Sequence, residues 1–335
     1  MRKPAVLVTG ASGEVGHGLI ERLAAQGDPI VTLDVVPLAP DLARHVHREA
    51  LGSILDVALL ERLMAEYEID RVFHLAALLS TRAEFSPLTA HQVNVGGTLH
   101  LLEFAQHEAE SHGRSVVFLY PSSIAVYGLP DAATRQQAGP VAEDQWTVPT
   151  TMYGCNKLYC EHLGRYYAQH YKQLSVRRPG VRVDFRAVRF PGLISAATVP
   201  SGGTSDYAAE MIHTAARGEP YACFVRPDTR LPFMAMPDAV GALIDLARAP
   251  ADRLTRTTYN VGAFAVTAEE VRAEMLRVFP SANITYRVDE RRQGIVDTWP
   301  ADVDDTAARR DLGFSPRFDF PRTLRDYVLP AIGRS

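Results

Sequence analysis

The segment VTGASGEVG, residues 8–16, follows the apolar run AVLV and opens a helix-period stretch over 14–26. Its glycines are Gly10, Gly13 and Gly16. The first permits a tight turn, the second lets backbone approach a pyrophosphate, and the third lets the helix pack close to the strand. The helix N-terminus then offers free N–H groups to an anion. A glycine pattern alone is weak; the strand–turn–helix setting turns it into a dinucleotide signature. Gly10, Ser12, Gly13, Glu14, Val15 and Gly16 are therefore the expected cofactor cradle. The alternative is a Gly-rich turn with no ligand.

The rest of the first half repeats that alternation. Strands are expected over 5–10, 30–35, 71–77, 115–123 and 182–190, with helices over 14–26, 57–67, 89–110 and 153–172. This spacing implies an α/β fold with a Rossmann-type, doubly wound parallel sheet. From about 191 the pattern loosens into Pro- and Gly-rich loops, helices over 206–217, 237–248 and 267–278, and a strand over 284–289. We expect a nucleotide-binding domain over 1–190. A small lobe, mainly substrate-binding, follows over 191–335, with some segments returning to the first domain.

Composition narrows the function classes. The net charge of −4 over 335 residues argues against a broad nucleic-acid surface, and the run RRPG at 177–180 reads as a solvated turn. Three cysteines, Cys155, Cys160 and Cys223, give neither a disulfide framework nor a metal spacing, so no metal is expected. MRKPAVLVTG leads straight into a strand without a leader, and no stretch is long and apolar enough for a span. A cytoplasmic enzyme is the expectation.

Asp34 ends the second strand, 24 positions after Gly10. A carboxylate there accepts hydrogen bonds from the adenosine ribose and repels a 2′-phosphate, and no Lys or Arg occurs before Arg44. NAD is thus expected over NADP; the alternative is that Asp34 caps a turn. Ser53 and Ile54 fall where such folds meet adenine. Leu75, Ala76 and Ala77 follow His74 at a strand end where small residues admit the cofactor. His74 reads as a hydrogen-bonded strand-end residue rather than a base, and His45 and His47 as surface.

Tyr153 and Lys157 lie four apart at the start of a helix, on one face. A free phenol has a pKa near 10. An ammonium and an oxidised nicotinamide nearby would favour the phenolate and make Tyr153 a general base. Lys157 can also bond the nicotinamide ribose. Tyr-x-x-x-Lys is common in helices by chance. The strand ending in Ser122 and Ser123 supplies the missing part, and strand alternation lets only one of those serines face a substrate.

These features together, Gly10-x-x-Gly13-x-x-Gly16, Ser123, Tyr153 and Lys157, resemble the extended short-chain dehydrogenase/reductase family, which includes nucleotide-sugar epimerases. The resemblance implies that Ser123, Tyr153 and Lys157 are catalytic and that Asn94 lies near the active site, among the cofactor contacts. HLAALLS (74–80), PSSIAVYG (121–128), DFRAVRFPGLIS (184–195), GGTSDYA (202–208), LPFMAMPDA (231–239) and RQGIVDTWP (292–300) are similar to short-chain-type L-threonine 3-dehydrogenases. That implies NAD-dependent oxidation of the threonine 3-hydroxyl to 2-amino-3-oxobutyrate, with Leu193 touching nicotinamide. It also implies a homodimer through the helices at 89–110 and 153–172. Three departures stand out: Ser53 for an acidic residue, Ser205 for a second threonine, and an insertion over 172–181.

The rival is an NAD-dependent nucleotide-sugar 4-epimerase, which must hold a second pyrophosphate. Pro191 and Ile295 stand where such enzymes carry Asn and Asp, although Arg226 and Arg292 remain available as phosphate ligands. A non-catalytic NAD-binding regulator is a further alternative, opposed by the intact Ser123, Tyr153 and Lys157. Candidate substrate contacts are Ser80, Ser123, Tyr153, Thr204, Ser205 and Trp299. Trp299 could instead be lobe packing, and Asp206 reads as a helix N-cap. The cation-poor loop 189–208 suits a small carboxylate better than a diphosphate. Gly202 and Gly203 would let it move.

Overall fold

A computed structural model describes residues 2–176, 180–198 and 203–332. Most of the RRPG turn (177–179) and Gly202 lie outside the described residues. The strands are β1 (Lys3–Thr9), β2 (Ile30–Asp34), β3 (Arg48–Leu51), β4 (Tyr67–His74), β5 (Val117–Ser123), β6 (Asp184–Phe190), β7 (Gly192–Ile194), β8 (Tyr221–Cys223), β9 (Arg230–Ala235), β10 (Thr258–Asn260), β11 (Phe264–Thr267) and β12 (Ile284–Tyr286). The principal helices are α1 (Glu14–Ala25), α2 (Val57–Glu66), α3 (Gly97–His112), α4 (Met152–Gln169), α5 (Tyr207–Ala216), α6 (Met236–Arg248), α7 (Ala268–Val278) and α8 (Glu290–Asp297).

Seven strands form one sheet in the order β10-β6-β5-β4-β1-β2-β3. Every pairing in it is parallel. A parallel sheet must be covered on both faces, and the strands read accordingly: the last five residues of β1 are buried without alternation. One face packs under α1 and α6, with Val6, Val8, Leu19, Leu23, Val240 and Leu243 in a common core. The other packs under α2, α3 and α4, through Leu7, Leu60, Leu102, Phe118, Cys160 and Phe185. The buried residues of α1 (Gly16, Leu19, Ile20 and Leu23) recur at three- and four-residue spacing, which is why that stretch is helical and faces the sheet.

Strand order reverses at β1, flanked by β2 on one side and β4 on the other. Such a switch point leaves a crevice at the carboxyl ends of the strands. The C-terminal half adds a three-stranded sheet, β11-β9-β7, and a pair, β12-β8, around a separate apolar cluster that includes Tyr207, Phe233 and Trp299. Several features differ from the sequence expectation: β4 spans Tyr67–His74 rather than 71–77, and β7, β8, β9 and β11 lie where no strand was expected. The four-residue β3 and three-residue β10 extend the sheet at its two edges. The strand expected over 284–289 stops at Tyr286. The helix expected over 89–110 comprises Pro87–His91, a π-helical turn over Gln92–Gly96, and α3.

Candidate active site

Gly10 adopts φ +68°, and a Cβ there would lie 2.4 Å from the Ala76 nitrogen. Its N–H donates to the Leu33 carbonyl at 3.0 Å. Both the left-handed backbone and the close approach of the β4 end thus require glycine. Gly16 is held by its own loop: a Cβ would lie 2.2 Å from the Ala11 carbonyl oxygen. Gly13 takes the N-cap position of α1 and, among the described residues, no side chain caps the helix, which leaves first-turn N–H groups for another acceptor. A Cβ on Gly13 would meet only the Gly10 carbonyl oxygen, at 3.3 Å. Val15 is half-buried against the core below α1. Burial, and then the charge of Asp206, push the Glu14 carboxyl up to about 7.

Asp34 fixes this loop from β2. Its carboxylate accepts the N–H of Ser12 at 2.9 Å and that of Val36 at 3.1 Å, while the Ser12 hydroxyl donates to the Val36 carbonyl at 2.8 Å. Each oxygen keeps a lone pair for a further donor. The Ser53 hydroxyl accepts the N–H of Leu55 at 3.1 Å. The Ile54 side chain is turned inward, filling the notch left by Gly97. Exposed apolar side chains at Val35, Val36 and Leu51 border this edge.

At the β4 end, Leu75 donates its N–H to the Thr9 carbonyl at 3.0 Å, and Ala77 is half-buried in the loop that follows. His74 is buried between Thr9 and Thr98. The Thr98 hydroxyl donates to the Asn94 carbonyl at 2.5 Å, so its oxygen must accept from His74 Nε2 at 2.9 Å. His74 Nδ1 then accepts from the Thr9 hydroxyl at 2.8 Å. Burial, reinforced by the Lys157 charge, pushes the imidazole down to about 3. It is a neutral strut. Asn94, in the π-helical turn, accepts the Leu78 N–H at 2.7 Å and donates to the Leu78 carbonyl at 3.0 Å. Its side chain closes the loop carrying Leu75–Ala77, and its amide hydrogen-bonds backbone.

Thr151 caps α4 by accepting the N–H of Gly154 at 3.0 Å, which places Tyr153 in the first turn, over the end of β5. The two serines diverge as expected of adjacent strand residues. Ser122 points inward to Glu161, at 2.5 Å, whereas Ser123 stands near enough to the Tyr153 phenol to favour its ionised form and accepts the Ala125 N–H at 3.1 Å. Lys157 is buried. Its Nζ donates to the Pro121 carbonyl at 2.6 Å and sits 4.5 Å from the Tyr120 ring centroid and 5.5 Å from that of Tyr153. Burial lowers the ammonium to about 8, with Cys160 and Glu161 opposing. Burial also raises the Tyr153 phenol above its ordinary value, opposed by the nearby Ser123 hydroxyl. The neighbouring ammonium alone therefore does not bring the phenol toward neutrality, as the sequence reading expected it to help do.

Across the crevice, Ser80 begins the short helix Ser80–Phe85 and meets Thr204: its Oγ lies 3.3 Å from both the Thr204 N–H and hydroxyl. Asp206 stands at the N-cap position of α5 but does not cap it; its carboxylate turns back to accept the Gly203 N–H at 2.5 Å. Ser205 is half-buried between them. Arg292, on α8, donates to the Gly203 carbonyl at 2.9 Å and stacks on Phe224, 3.2 Å from its centroid. Arg226 is taken by Asp297 in a bidentate pair at 2.8 and 3.0 Å. Leu193 is half-buried in β7. Trp299 is buried in the lobe core, against which Tyr153 packs, and its Nε1 has no partner among the described residues.

Sequence reasoning missed the ion pair beneath these groups. Glu161 and Arg189 are both buried and joined by bonds of 2.9 and 2.6 Å. One signal existed: Glu161 stands four residues after Lys157, on the same helical face. Among the described residues, no group of three or more His, Cys, Asp or Glu could hold a metal ion, and no helix is long and apolar enough to cross a membrane.

Residues 6–262 match the NAD dependent epimerase/dehydratase family. A mitochondrial L-threonine 3-dehydrogenase of Bos taurus is 35% identical over 323 residues, covering 95% of this chain and 80% of its own. Among solved structures, a partial consensus L-threonine 3-dehydrogenase (E-change) is 34% identical with a TM-score of 0.86, covering 98% of this chain and 100% of its own. A monomeric L-threonine 3-dehydrogenase from a metagenome database is also 34% identical, with a TM-score of 0.84 and coverage of 98% and 99%. With its seven-stranded parallel sheet, its glycine cradle at the strand switch and a match spanning most of its length, the chain belongs to the NAD-dependent epimerase/dehydratase family.

Proposed function

We propose that this protein oxidises the 3-hydroxyl of L-threonine with NAD, giving 2-amino-3-oxobutyrate. The observation that carries this reading is the convergence of Ser123, Tyr153 and Lys157 at the carboxyl end of β5. The likeness to several L-threonine 3-dehydrogenases supports it. The chain's residues fit the cofactor: uncapped N–H groups at α1 for the pyrophosphate, free lone pairs on Asp34 for the adenosine ribose, and Ala76 packed on Gly10 to leave room at the sheet edge. The division into a nucleotide-binding part over 1–190 and a substrate lobe beyond it belongs to the same reading.

Bound NAD supplies the hydride acceptor. Ser123 orients the substrate hydroxyl by a hydrogen bond, and Tyr153 receives its proton. Lys157, as ammonium, stabilises the phenolate and holds ribose hydroxyls. Ser80, Thr204 and Ser205 present hydroxyls to the amino-acid end, and Trp299 closes the apolar side. A small substrate is favoured over a nucleotide sugar because Arg226 is neutralised by Asp297 and Arg292 is engaged on Gly203. The reading extends to a cytoplasmic location and to a homodimer through the helices at 89–110 and 153–172. Exposed Leu99, Tyr159 and Tyr166 support the latter.

The test is NADH formation with L-threonine, run beside 4-epimerisation of UDP-galactose. Turnover of threonine with NAD and little epimerisation is expected. Epimerase activity without threonine oxidation would overturn the reading.

A further inference from the structure

Six residues with no assigned role, Ser122, Tyr127, Glu143, Glu161, Arg189 and Asn260, form a polar spine under the reacting groups. Tyr153, Lys157 and Glu161 are spaced four apart along α4, so they descend one side of that helix. Glu161 Oε1 accepts from the Ser122 hydroxyl at 2.5 Å and from Arg189 Nε at 2.9 Å, and Oε2 accepts from Arg189 Nη2 at 2.6 Å. Ser122 adjoins Ser123 on β5, and Arg189 lies on β6.

The spine continues into the C-terminal half. Arg189 Nη1 donates to the Tyr127 hydroxyl at 2.9 Å and to the Glu143 carbonyl at 2.7 Å. The Tyr127 hydroxyl donates to Asn260 Oδ1 at 2.7 Å. Asn260, on β10 and in register with Arg189, donates its amide to the carbonyls of Val141 at 2.9 Å and Asp304 at 3.2 Å. Its backbone N–H donates to Glu143 Oε1 at 3.0 Å. Ser122, Tyr127, Glu143, Glu161, Arg189 and Asn260 are all buried.

A buried ion pair is a poor source of net stability, because desolvating two charges offsets most of their attraction. Its strength is geometric: the planar guanidinium fork meets a carboxylate in one orientation. We infer that Glu161 and Arg189 are positioning residues that fix the rotation of α4 over β5 and β6, holding Tyr153 and Lys157 against Ser123 and tying that alignment to the segment around Asp304. Neither touches substrate or cofactor; they act through the helix. The inference rests on the proposed function for its kinetic readout only.

The test compares Glu161→Gln, Arg189→Lys and Tyr127→Phe with the wild-type protein. Readouts are kcat and KM for NADH formation from L-threonine, NADH affinity by fluorescence titration, and hydrogen exchange of amides 152–158. Glu161→Gln is expected to lower kcat about tenfold or more, since small misplacements of reacting groups are costly. KM and NADH affinity should stay within about twofold, and kcat is expressed per NADH site counted in the same titration, so that loss of folded protein is not read as loss of kcat. Exchange of amides 152–158 should accelerate while α1 amides are unchanged. Arg189→Lys, which cannot reproduce the fork, should behave similarly. Tyr127→Phe removes one hydroxyl, and with it the bonds to Arg189 and Asn260, with little change of volume, so it keeps the test open if a charge variant fails to fold; about a threefold or greater loss of kcat is expected. Unchanged kcat and unchanged exchange at 152–158 in the folded variants would overturn the inference. If the wild-type protein forms no NADH from L-threonine, the proposed function fails instead, and exchange still reads the pair.

Discussion

The Asp34 carboxylate holds the glycine loop through Ser12: its Oδ2 accepts that residue's N–H at 2.9 Å, joining the end of β2 to the turn before α1. The residue proposed to meet the adenosine ribose thus also braces the glycine turn. Asp34→Asn keeps one acceptor but sets an amide N–H against either Ser12 or Val36. Losing a charge-assisted hydrogen bond costs about 1.5–3 kcal/mol, so NADH affinity should fall at least about tenfold. Discrimination against NADPH should relax as repulsion of the 2′-phosphate is removed. Fluorescence titration with both nucleotides checks this. Equal affinities for wild type and variant would leave Asp34 as a brace alone.

Two glycines separate backbone strain from crowding. Gly27 adopts φ +77° with nothing within 4 Å of an added Cβ, whereas Gly10 adopts φ +68° with Ala76 at 2.4 Å. Gly27→Ala should cost about 1–2 kcal/mol, the left-handed penalty. Gly10→Ala adds overpacking against immovable backbone, for a total of about 3 kcal/mol or more. Urea unfolding of the two variants measures the difference. Equal losses would show that β4 can yield.

Tyr153→Phe removes the phenol beside Ser123 and leaves the ring's packing in place. General-base catalysis contributes about 10²–10⁴-fold, so threonine-dependent NADH formation should drop by that order. NADH affinity should change by less than about threefold, the worth of one neutral hydrogen bond in part. Stopped-flow single turnovers isolate the chemical step. A variant with near-normal turnover would remove Tyr153 from the proton transfer.

Much of this site was legible because its parts are local. The glycine turn, Asp34 at a strand end, the serine pair and the four-residue Tyr–Lys spacing each sit within a few residues of a strand–helix junction. What escaped depends on distant partners. β10 is three residues long and becomes a strand only by pairing Asn260 with Arg189; its own sequence, TYN, has no length for a pattern. β3 is likewise an edge piece fixed by β2. The π-helical turn at Gln92–Gly96 inserts a residue that periodicity absorbs, yet it delivers the Asn94 side chain to Leu78. Asp206 has the residue type of an N-cap, but the left-over Gly203 N–H competes for its carboxylate and wins.

Lys157 gives a pH-dependent test of the cost of the site. Burial lowers its ammonium from an ordinary 10.5 to about 8, so the folded state disfavours the charged form. Below pH 8 both folded and unfolded chains carry the proton, and the native state bears the full penalty, about 3 kcal/mol for a shift of this size. Between pH 8 and 10.5 the unfolded chain binds more protons than the native one, so this penalty fades as pH rises. Lys157→Met keeps an unbranched apolar stem of similar reach but strands the Pro121 carbonyl, costing about 1 kcal/mol. The variant should therefore be inactive yet more stable than wild type by about 2 kcal/mol below pH 8. That advantage should vanish, or reverse slightly, above pH 10.5. Urea unfolding of both proteins across this range supplies the curve. An advantage that grew with pH would mean that the ammonium is stabilised by the fold, and that the charge held beside Tyr153 costs the protein nothing.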